Sequence, residues 1–445
     1  MNFNKICVIG LGYIGLPTAS TFATHGIKVL GVDANQRVVQ TLQNGEIHIH
    51  EPGLRTLVQA AIKSGNLTIS DHPEEADAFI IAVPTPFEEA GHTSKDASGK
   101  PTRSTDYPLA DLSYVIAAAE AITPCLKPGN LVVLESTSPP RTTEDIVSPI
   151  LEKSGLKVGF DFHLAYSPER VLPGQILREL IENARVIGGV NPASAQAGHD
   201  LYATFVRGEI IQTTATTAEM VKLMENTTRD VNIAIANEFS RLAEHFGIDV
   251  WEAIQLANLH PRINILRPGP GVGGHCISVD PWFLVEAAPE LTPLIHTART
   301  VNDAQPAHVV QRIEHTIGEL KGKRVAALGL AYKPDVDDLR ESPAIEVARL
   351  MMAAGAEVIS FEPYKVDSQI SELPSATSLE AAICESDILV LLVAHTPLKN
   401  LTPEQVASMT KARIVFDTAN IWDATLWGAA GFTVHRLGVG VRKTK

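Results

Sequence analysis

Short apolar runs alternate with helical patterns over the first half of the chain. Lys5–Ile9 and Lys28–Val32 are short runs with a β-branched bias, and residues 16–25 between them carry apolar side chains at helical spacing. The alternation continues with strand-like runs at 79–83, Leu131–Leu134, His163–Tyr166 and 185–187, and with helical stretches at 112–122 and 144–153. Strands that alternate with helices predict a parallel sheet covered by helices on both faces.

A single long helical pattern follows, from residue 217 to Phe246. A helix of this length measures about 45 Å, which suffices to connect two domains and to form the spine of a dimer. Helical spacing resumes at Val250–Ala257, and a loop rich in glycine and proline follows at 267–276.

A second alternation of strand-like and helical patterns occupies the last part of the chain. Its strand-like runs lie at 323–328, Glu357–Phe361, 388–393 and 413–417. Its first turn carries Gly329 without further glycines, so this region is not a sequence repeat of the first. The predicted fold class is α/β, with two Rossmann-like doubly wound domains joined by a long central helix and a helical middle domain. The predicted domains are 1–212, 213–318 and 319–445.

Composition narrows the classes of function. The 445 residues carry 37 Lys and Arg against 51 Asp and Glu, a formal net charge of −14. An acidic chain is not a candidate nucleic-acid binder, and a phosphate site in it must depend on local groups. No apolar run approaches the roughly 20 residues that a membrane span needs, and the first residues lack a signal-peptide pattern. Residues 88–108, poor in apolar side chains, predict an exposed loop.

Gly10, Gly12 and Gly15 form a G-x-G-x-x-G motif that follows the first strand and opens the first helix. The glycines permit a tight turn, close approach of a pyrophosphate, and packing of the helix on the strand, respectively. Asp33 ends the second strand, where a carboxylate accepts hydrogen bonds from a ribose 2′-hydroxyl and repels a 2′-phosphate. The pattern predicts an NAD site, and the alternative is a glycine turn with a structural role alone. Arg37 is a candidate contact for the adenosine phosphate or, nearly as readily, an exposed helix charge.

Cys276 differs from the other cysteines because glycines precede it and Asp280 follows four residues on. Glycines allow a ligand to approach closely, and a thiol in an NAD enzyme suggests aldehyde oxidation through a thiohemiacetal and a thioester. A packed loop cysteine is an equal alternative. We expect Cys7, Cys125 and Cys384 to be core residues without disulfides, as in a reducing compartment.

Lys222, Asn226 and Arg229 share one face of the long predicted helix. Positive charge and hydrogen-bond donors of this kind lower the pKa of a thiol. A solvated polar stripe is the plainer alternative for the same spacing.

These motifs together resemble the UDP-glucose/GDP-mannose dehydrogenase family along nearly the whole chain. The segments that carry the resemblance are VIGLGYIGLP (8–17), VPTP (83–86), ESTSPP (135–140), YSPERVLPG (166–174), AEMVKLMENTTRDVNIAIANE (218–238), HPRINILRPGPGVGGHCISVDPWF (260–283) and LAYKPDVDDLRESPA (330–344). The form around Cys276 is similar to the branch that oxidises 2-acetamido sugars, because the glucose branch has Lys-Asp where this chain has Val279 and Asp280.

The resemblance implies a four-electron oxidation of the C6 alcohol of a UDP-sugar by NAD. UDP-N-acetyl-D-mannosamine is the expected substrate, and UDP-N-acetyl-D-glucosamine and UDP-glucose are the alternatives. Cys276 holds the aldehyde as a thiohemiacetal and then as a thioester, from which water releases the uronic acid. The resemblance further implies an NAD-binding domain at 1–212, a dimerisation and catalytic domain at 213–318 and a UDP-sugar-binding domain at 319–445. We further expect a homodimer that is located in the cytoplasm and takes part in polysaccharide biosynthesis. No metal and no membrane partner are expected.

The expected site residues fall into three groups. Lys222 and Asn226 resemble an acid–base and oxyanion pair, Asp280 and Glu169 resemble carboxylates that organise protons and water, and Thr137 lies near the nicotinamide. The catalytic group is Cys276, Lys222, Asn226, Asp280, Glu169 and Thr137. The cofactor group is Gly10, Gly12, Tyr13, Ile14, Gly15, Asp33, Arg37, Thr85, Thr137 and Arg340. The substrate group is Arg170, Val171, Lys222, Asn226, Arg229, His260, Arg262, Gly273, Tyr332 and Lys333, and Arg262 is expected to reach the neighbouring subunit's substrate.

Plainer alternatives stand beside several of these roles. Glu169 is also compatible with a surface ion pair, His260 with a helix C-cap, and Lys333 and Arg340 with salt bridges to nearby aspartates. Two positions depart from the family pattern: Arg141 replaces a glycine after the STSP turn, and Ala419 replaces a basic residue that contacts substrate. The rival functions are a two-electron 3-hydroxyacid-type dehydrogenase, which needs no cysteine, and a non-catalytic nucleotide-sugar sensor.

Overall fold

The computed structural model describes residues 1–49, 51–88, 107–274, 276–364 and 373–440. The chain divides into two compact units, one of residues 1–225 and 282–291 and the other of residues 226–281 and 292–445. Most of the loop predicted at 88–108, namely 89–106, lies outside the described residues. No helix in the described ranges is both long enough and apolar enough to cross a membrane.

The first unit is built on an eight-stranded sheet in the order β10-β9-β8-β7-β4-β1-β2-β3. The short strands β5 and β6 pair separately and antiparallel. The strands are β1 Lys5–Ile9, β2 Lys28–Val32, β3 Leu67–Ser70, β4 Ala78–Ile81, β5 Phe87–Glu88, β6 Leu109–Ala110, β7 Leu131–Leu134, β8 His163–Tyr166, β9 Arg185–Gly189 and β10 Ile210–Thr214. The chain order reverses at β1, which has β2 on one side and β4 on the other.

Helices cover both faces of this sheet, as the sequence pattern predicts. They are α1 Gly15–Thr24, α2 Gln36–Gln43, α3 Leu54–Lys63, α4 Ser113–Ile122, α5 Ser148–Leu151, α6 Ile176–Glu182, α7 Pro192–Tyr202 and the first part of α8 Ala215–Phe246, which belongs to this unit up to Glu225, with a π-helical turn at Thr142–Val147 and 3₁₀ turns at Thr123–Cys125 and Glu152–Ser154. Ile6 and Val8 of β1 belong to one buried cluster, and Cys7 and Ile9 belong to the other. Alternate residues of one strand therefore fill two cores, which is the period-2 signature of a doubly covered sheet.

One pair of strands departs from the predicted parallel sheet. β8 and β9 are antiparallel, with Tyr166 opposite Gly188. The connection at 167–184 therefore stays at the edge where β8 ends, instead of crossing the sheet as a parallel connection must. This edge also receives Glu169 and Arg185, so the reversal places two charged residues together.

The second unit contains a five-stranded parallel sheet in the order β12-β11-β13-β14-β15. Its strands are β11 Arg324–Leu328, β12 Glu357–Phe361, β13 Ile388–Leu391, β14 Ile414–Asp417 and β15 Thr433–Arg436. The helices that follow α8 in this unit are α9 Val250–Ala257, α11 Pro293–Asp303, α12 Gln305–Ile317, α13 Pro343–Ala353, α14 Leu379–Ile383, α15 Thr396–Lys399, α16 Pro403–Met409 and α17 Ala424–Ala429. Of α10 Asp280–Ala287, the residues from Trp282 onward belong to the first unit, as does a 3₁₀ turn at Pro289–Leu291. Two buried clusters again lie on the two faces of the sheet.

The first turns of the two sheets share a backbone geometry that their sequences do not reveal. Gly10 and Gly329 both have positive φ, of 91° and 83°. The N–H of Gly10 donates to Val32 O at 2.8 Å, and that of Gly329 donates to Phe361 O at 2.9 Å. The α/β class with two Rossmann-like units is confirmed.

The cysteine prediction needs one correction. Cys7 is buried and the half-buried Cys125 packs against the same cluster, but Cys384 is exposed. Cys384 is the C-cap residue of α14 and precedes the turn into β13, so it lies outside the core of that sheet. Burial of Cys7 raises the pKa of its thiol to about 12, which keeps it protonated and unreactive.

Candidate active site

The three glycines of the first turn meet three different surroundings. A side chain on Gly10 would lie 2.6 Å from Ala82 O, and one on Gly15 would lie 1.8 Å from Gly10 O. A side chain on Gly12 would meet nothing within 4 Å. The turn is therefore tightly packed on its inner side and open at Gly12, where the start of α1 presents backbone N–H groups. An open glycine at a helix N-terminus fits the pyrophosphate of a dinucleotide.

Asp33 lies half-exposed at the end of β2 and organises the same turn. Its two carboxylate oxygens accept from Leu11 N at 3.0 Å and from Asn35 N at 2.8 Å. Each oxygen retains further capacity to accept, as a ribose requires. Asn35 caps α2 by accepting from Arg37 N, and Arg37 itself is exposed.

The remaining cofactor candidates of the first unit follow neighbouring strands at one edge of the sheet. Thr85 follows β4 and is buried, and Thr137 follows β7 and is half-buried. Because parallel strands place their carboxyl ends together, these threonines line the same edge as the glycine turn and Asp33. Tyr13 and Ile14 lie in the turn itself, half-buried, and Ile14 is the N-cap residue of α1.

Glu169 belongs to a buried charge network and not to a surface ion pair. Its carboxylate accepts from Arg185 at 2.5 Å, and both side chains are nearly inaccessible to solvent. Arg185 also donates to Ser167 Oγ at 3.0 Å and to Glu135 at 3.3 Å, and its guanidinium lies 4.3 Å from the centre of the Tyr202 ring. The surface alternative for Glu169 is therefore wrong.

Arg170 and Val171 follow Glu169 and differ in their contacts. Arg170 pairs with Glu225 at 2.8 Å and donates to the carbonyl of Ala184. Val171 packs against one of the buried clusters of the sheet. Both are half-buried at the sheet edge that carries Glu169.

Lys222 is a buried lysine on α8, and a carboxylate one turn earlier anchors that helix. Glu219 accepts from Arg141 N at 2.6 Å and from Thr143 N at 2.8 Å, so it caps the helical turn that begins there. Burial raises the pKa of Glu219. Arg141 has a φ of 75°, where glycine is ordinarily favoured, and its exposed side chain pairs with Asp145.

In the second unit, a hydrogen bond joins the segment that follows Cys276 to α8. Cys276 is exposed, and its carbonyl accepts from Asp280 N at 2.8 Å in the turn that starts α10. Asp280 is buried and accepts from Asn226 Nδ2 at 2.5 Å. The structure therefore brings together three predicted catalytic residues: the exposed Cys276, the buried Asp280 and the half-buried Asn226.

The glycines before Cys276 allow two chain segments to touch. A side chain on Gly273 would lie 2.3 Å from Glu341 O, and one on Gly274 would lie 2.6 Å from the ring of Tyr332. The N–H of Gly274 also donates to Arg340 O at 3.2 Å. Only glycine fits at these two positions.

A pocket of about 260 Å³ opens beside this contact within the second unit. It lies past the carboxyl ends of β11, β13 and β14, at the point where the strand order reverses between β11 and β13. Ligands of open α/β sheets bind at this position. The lining includes residues 267–271, Tyr332, Lys333, the first residues of α13, and Ala419.

Lys333 and Arg340 carry positive charge in the segment at this pocket. Lys333 Nζ lies 5.6 Å from the centre of the Tyr332 ring, and Arg340 donates to Asp338 at 2.6 Å and 2.9 Å. The salt-bridge alternative therefore applies to Arg340, through Asp338.

Arg229, His260 and Arg262 are exposed in the second unit. The C-cap of α9 is Asn258, so the alternative role of His260 as a helix C-cap is wrong. Arg262 donates from its backbone to His260 Nδ1 at 3.4 Å, and the two side chains approach to 3.5 Å.

Sequence reasoning missed the residues that hold the candidates in place. Arg185 contacts the predicted site residue Glu169, and Glu135 contacts Arg185. Glu219 holds the backbone at 141–143, in the segment that follows Thr137. The available signal was a charged residue at the start or end of an otherwise apolar strand, at Arg185 and Glu135. Within the described ranges, no group of three or more His, Cys, Asp or Glu side chains is arranged to hold a metal ion.

Three family models match consecutive parts of the chain. They describe the NAD binding domain, the central domain and the UDP binding domain of the UDP-glucose/GDP-mannose dehydrogenase family, over residues 4–206, 216–304 and 326–424.

Similar proteins match over nearly their whole length. UDP-N-acetyl-D-mannosamine dehydrogenase of Methanococcus maripaludis is 48% identical, over 99% of this chain and 98% of its own. NDP-N-acetyl-D-galactosaminuronic acid dehydrogenase of Ralstonia nicotianae is 48% identical, over 95% of this chain and 97% of its own. The solved structure of UDP-N-acetyl-mannosamine dehydrogenase from S. aureus has a TM-score of 0.86 at 43% identity, covering 98% of this chain and 99% of that one.

Proposed function

The chain belongs to the UDP-glucose/GDP-mannose dehydrogenase family, and from this premise we propose that it oxidises the C6 alcohol of a UDP-2-acetamido sugar to a carboxylate. The cofactor is NAD, for which the open turn at Gly12 and the carboxylate of Asp33 are suited. The proposed substrate is UDP-N-acetyl-D-mannosamine. The observation that carries the proposal is Cys276, an exposed cysteine whose backbone contacts the buried Asp280, which in turn accepts from the half-buried Asn226.

The pocket of the second unit is proposed to hold the UDP moiety. The start of α13 lies in its wall at Pro343 and Ala344, and Lys333 adds a positive charge. Helix N-termini and lysines stabilise phosphate oxygens locally, which the net charge of −14 makes necessary. Glycines at 273 and 274 bring the Cys276 segment close to this pocket's wall at Tyr332.

The proposed chemistry has three parts, and Cys276 keeps the intermediate on the protein. Bound NAD supplies the hydride acceptor for both two-electron oxidations. The thiolate of Cys276 adds to the carbonyl carbon of the aldehyde and forms a C–S bond, so the aldehyde is not released. After the second oxidation the product is a thioester, and water breaks the C–S bond to give the carboxylic acid and the free thiol.

We propose roles for the other catalytic residues. Lys222 takes the proton of the C6 hydroxyl and, with Asn226, stabilises negative charge on the substrate oxygen. Asp280 orients Asn226 through their 2.5 Å hydrogen bond. Glu169, held by Arg185, and Thr137 orient the hydrolytic water.

The binding residues follow the same division. Contacts to NAD are proposed for Gly10, Gly12, Tyr13, Ile14, Gly15, Asp33, Arg37, Thr85, Thr137 and Arg340. Contacts to the UDP-sugar are proposed for Arg170, Val171, Lys222, Asn226, Arg229, His260, Arg262, Gly273, Tyr332 and Lys333. The three-domain division at 1–212, 213–318 and 319–445 belongs to the same proposal.

The protein is proposed to act as a homodimer in the cytoplasm, in polysaccharide biosynthesis. Four large apolar residues on one face of α8, which we call the α8 stripe, are between 40% and 68% exposed: Ile235, Phe239, Leu242 and Phe246. Their spacing of i, i+4, i+7 and i+11 makes one continuous band, and an exposed apolar band of this kind is typical of a protein interface. Arg262 is proposed to reach the substrate of the partner subunit.

A substrate panel tests the sugar assignment. Steady-state kcat/KM is measured with the UDP derivatives of N-acetyl-D-mannosamine, N-acetyl-D-glucosamine, N-acetyl-D-galactosamine and glucose. The highest value is expected for the mannosamine sugar, and a better turnover of any other member of the panel overturns that assignment. The galactosamine sugar is included because of the name of the Ralstonia relative.

A second experiment tests the cysteine mechanism against the rival functions. We expect two NADH for each sugar oxidised, loss of turnover in Cys276→Ala, and retention of NAD binding in that variant. One NADH for each sugar indicates a two-electron dehydrogenase. Absence of turnover with all four sugars, while UDP still binds, indicates a nucleotide-sugar sensor.

A further inference from the structure

The loop at 264–271 has no helix or strand, yet side-chain amides satisfy much of its backbone. Residues 267–271 of this loop line the proposed UDP pocket. A loop without regular hydrogen bonding loses conformational entropy when it is ordered, and its buried N–H and C=O groups need partners. Four amide side chains supply these partners, and we call them the amide clamp: Asn232, Asn237, Asn258 and Gln305.

The first half of the loop is held by two asparagines that each bond twice. Asn258 donates to Ile265 O at 2.9 Å and accepts from Ile265 N at 2.8 Å. Asn232 donates to Asn264 O at 2.8 Å and accepts from Leu266 N at 3.0 Å. A primary amide has both a donor and an acceptor. Each side chain therefore satisfies one N–H and one C=O of the loop, as a neighbouring β-strand does in a sheet.

The second half is held at Gly269, in the wall of the pocket. Its N–H donates to Asn237 Oδ1 at 3.0 Å, and its C=O accepts from Gln305 Nε2 at 3.1 Å. Asn237 and Gln305 are fully buried. Buried side chains therefore hold both peptide groups of this pocket-lining glycine in place.

The buried pair is fixed in turn by neighbouring helices. Asn237 donates to Asn302 Oδ1 at 3.0 Å, and Arg241 donates to Gln305 Oε1 at 2.7 Å. Because each amide is held by a second partner, its orientation toward Gly269 is determined before any ligand arrives. Such preorganisation strengthens binding, since the ligand does not have to order the loop.

We propose that the amide clamp residues are positioning residues that hold the loop at 264–271 in its nucleotide-binding conformation. They act through the backbone of the loop and touch no ligand themselves. The inference rests on the proposed function, because it takes the pocket to be the UDP site.

Gln305→Glu is the sharpest test because it is nearly isosteric and changes one hydrogen bond. The carboxylate still accepts from Arg241 and gains an ion pair, so the melting temperature is expected to stay within a few degrees. The donor to Gly269 O is lost and replaced by an oxygen that repels it. We expect the Kd for UDP to rise about tenfold and the KM for the UDP-sugar to rise with it, while the Kd for NAD stays unchanged.

Two further variants complete the experiment. Asn258→Asp removes the donor to Ile265 O at the other end of the loop and is expected to have the same effect on UDP. Gln43→Glu is the matched control, because Gln43 also donates to a backbone carbonyl, that of Ile69, but in the first unit. It is expected to bind UDP as the wild type does.

The outcomes are distinguishable by UDP titration and thermal unfolding. Unchanged UDP affinity in both clamp variants overturns the inference, and so does a loss of folding in both, which assigns the amides to the fold alone. If Gln305→Glu alone fails to fold, Asn258→Asp decides. Failure of the wild type to bind UDP overturns the proposed function and this inference with it.

Discussion

Glu135 is a buried carboxyl group whose two oxygens have different surroundings. Oε1 accepts from Tyr202 at 2.5 Å and from Arg185 at 3.3 Å, whereas Oε2 has no hydrogen-bond partner among the described residues. Burial raises the pKa of Glu135 to about 7. Arg185 therefore lies between Glu135 and the carboxylate of Glu169, to which it also donates, and holds the Glu169 side chain in place.

The raised pKa of Glu135 predicts a dependence of stability on pH. Between its unfolded value of 4.5 and its folded value of about 7, Glu135 is protonated in the folded state and ionised in the unfolded state. In this window the folded state binds more protons than the unfolded state. The free energy of unfolding is therefore highest below the lower value and decreases as the pH rises through the window. Relative to Glu135→Gln, the wild-type free energy of unfolding is expected to fall by roughly 3 kcal/mol from pH 4.5 to 7.5.

Urea unfolding of both proteins across this range measures the difference. Gln retains an acceptor for the Tyr202 hydroxyl and has no titrating proton, so it is the matched reference. A difference that stays constant with pH contradicts the assignment.

Asp33→Asn tests the choice of cofactor at the level of one residue. The carboxylate is expected to accept from the ribose and to repel a 2′-phosphate, and the amide does neither well. We expect the KM for NAD to rise about tenfold and the preference for NAD over NADP to shrink. Steady-state kinetics with both cofactors measure this, and kcat at saturating NAD serves as the control. An unchanged ratio of kcat/KM for NAD and NADP contradicts the role of Asp33.

In the turn between β1 and α1, glycines at different positions have different structural roles. Gly15 is enclosed by the backbone of Gly10, and Gly12 faces open space. A methyl group therefore costs stability at one position and blocks ligand approach at the other.

Gly12→Ala and Gly15→Ala form a matched pair at the scale of this element. Gly15→Ala is expected to lower the melting temperature by several degrees or to prevent folding of the first unit, because its Cβ would lie 1.8 Å from Gly10 O. Gly12→Ala is expected to fold as the wild type does and to bind NAD at least tenfold more weakly. Thermal unfolding and NAD titration separate the two, and equal effects of both substitutions contradict the distinction.

At the scale of the whole molecule, the α8 stripe predicts the oligomeric state. Leu242→Glu places a charge in an apolar band, and desolvating that charge in an interface costs several kcal/mol. We expect the proposed dimer to form in the wild type and this variant to be monomeric at micromolar concentration, as measured by sedimentation velocity. Leu426→Glu is the control, because Leu426 is an exposed leucine on α17 in the same unit. A Leu242→Glu protein that remains dimeric contradicts the interface.

Subunit mixing tests the proposed contribution of Arg262 to the partner's site. Cys276→Ala and Arg262→Ala are each expected to be nearly inactive as homodimers. If Arg262 acts across the interface, random heterodimers regain one complete site, which gives about a quarter of wild-type activity. No recovery after co-refolding or co-expression shows that Arg262 acts within its own subunit.

The sequence alone determined the features that depend on residues close together in the chain. The turn with Gly10, Gly12 and Gly15, the carboxylate of Asp33 at the end of β2, and the run of α8 are local, because backbone geometry and side-chain periodicity specify them without distant partners. The family resemblance rests on such segments, and the family and the α/β fold class are confirmed for this reason.

Only the tertiary structure decided which distant residues meet. The antiparallel pairing of β8 and β9, the buried pair of Glu169 with Arg185, and the exposure of Cys384 contradict or extend what the pattern predicts. In the amide clamp, Asn237 accepts from the N–H of Gly269, and nothing in the sequence pattern of either segment predicts this hydrogen bond. Hydrogen bonds and ion pairs of this kind depend on the position of each backbone group in space, and a one-dimensional pattern of polar and apolar residues carries no information about that position.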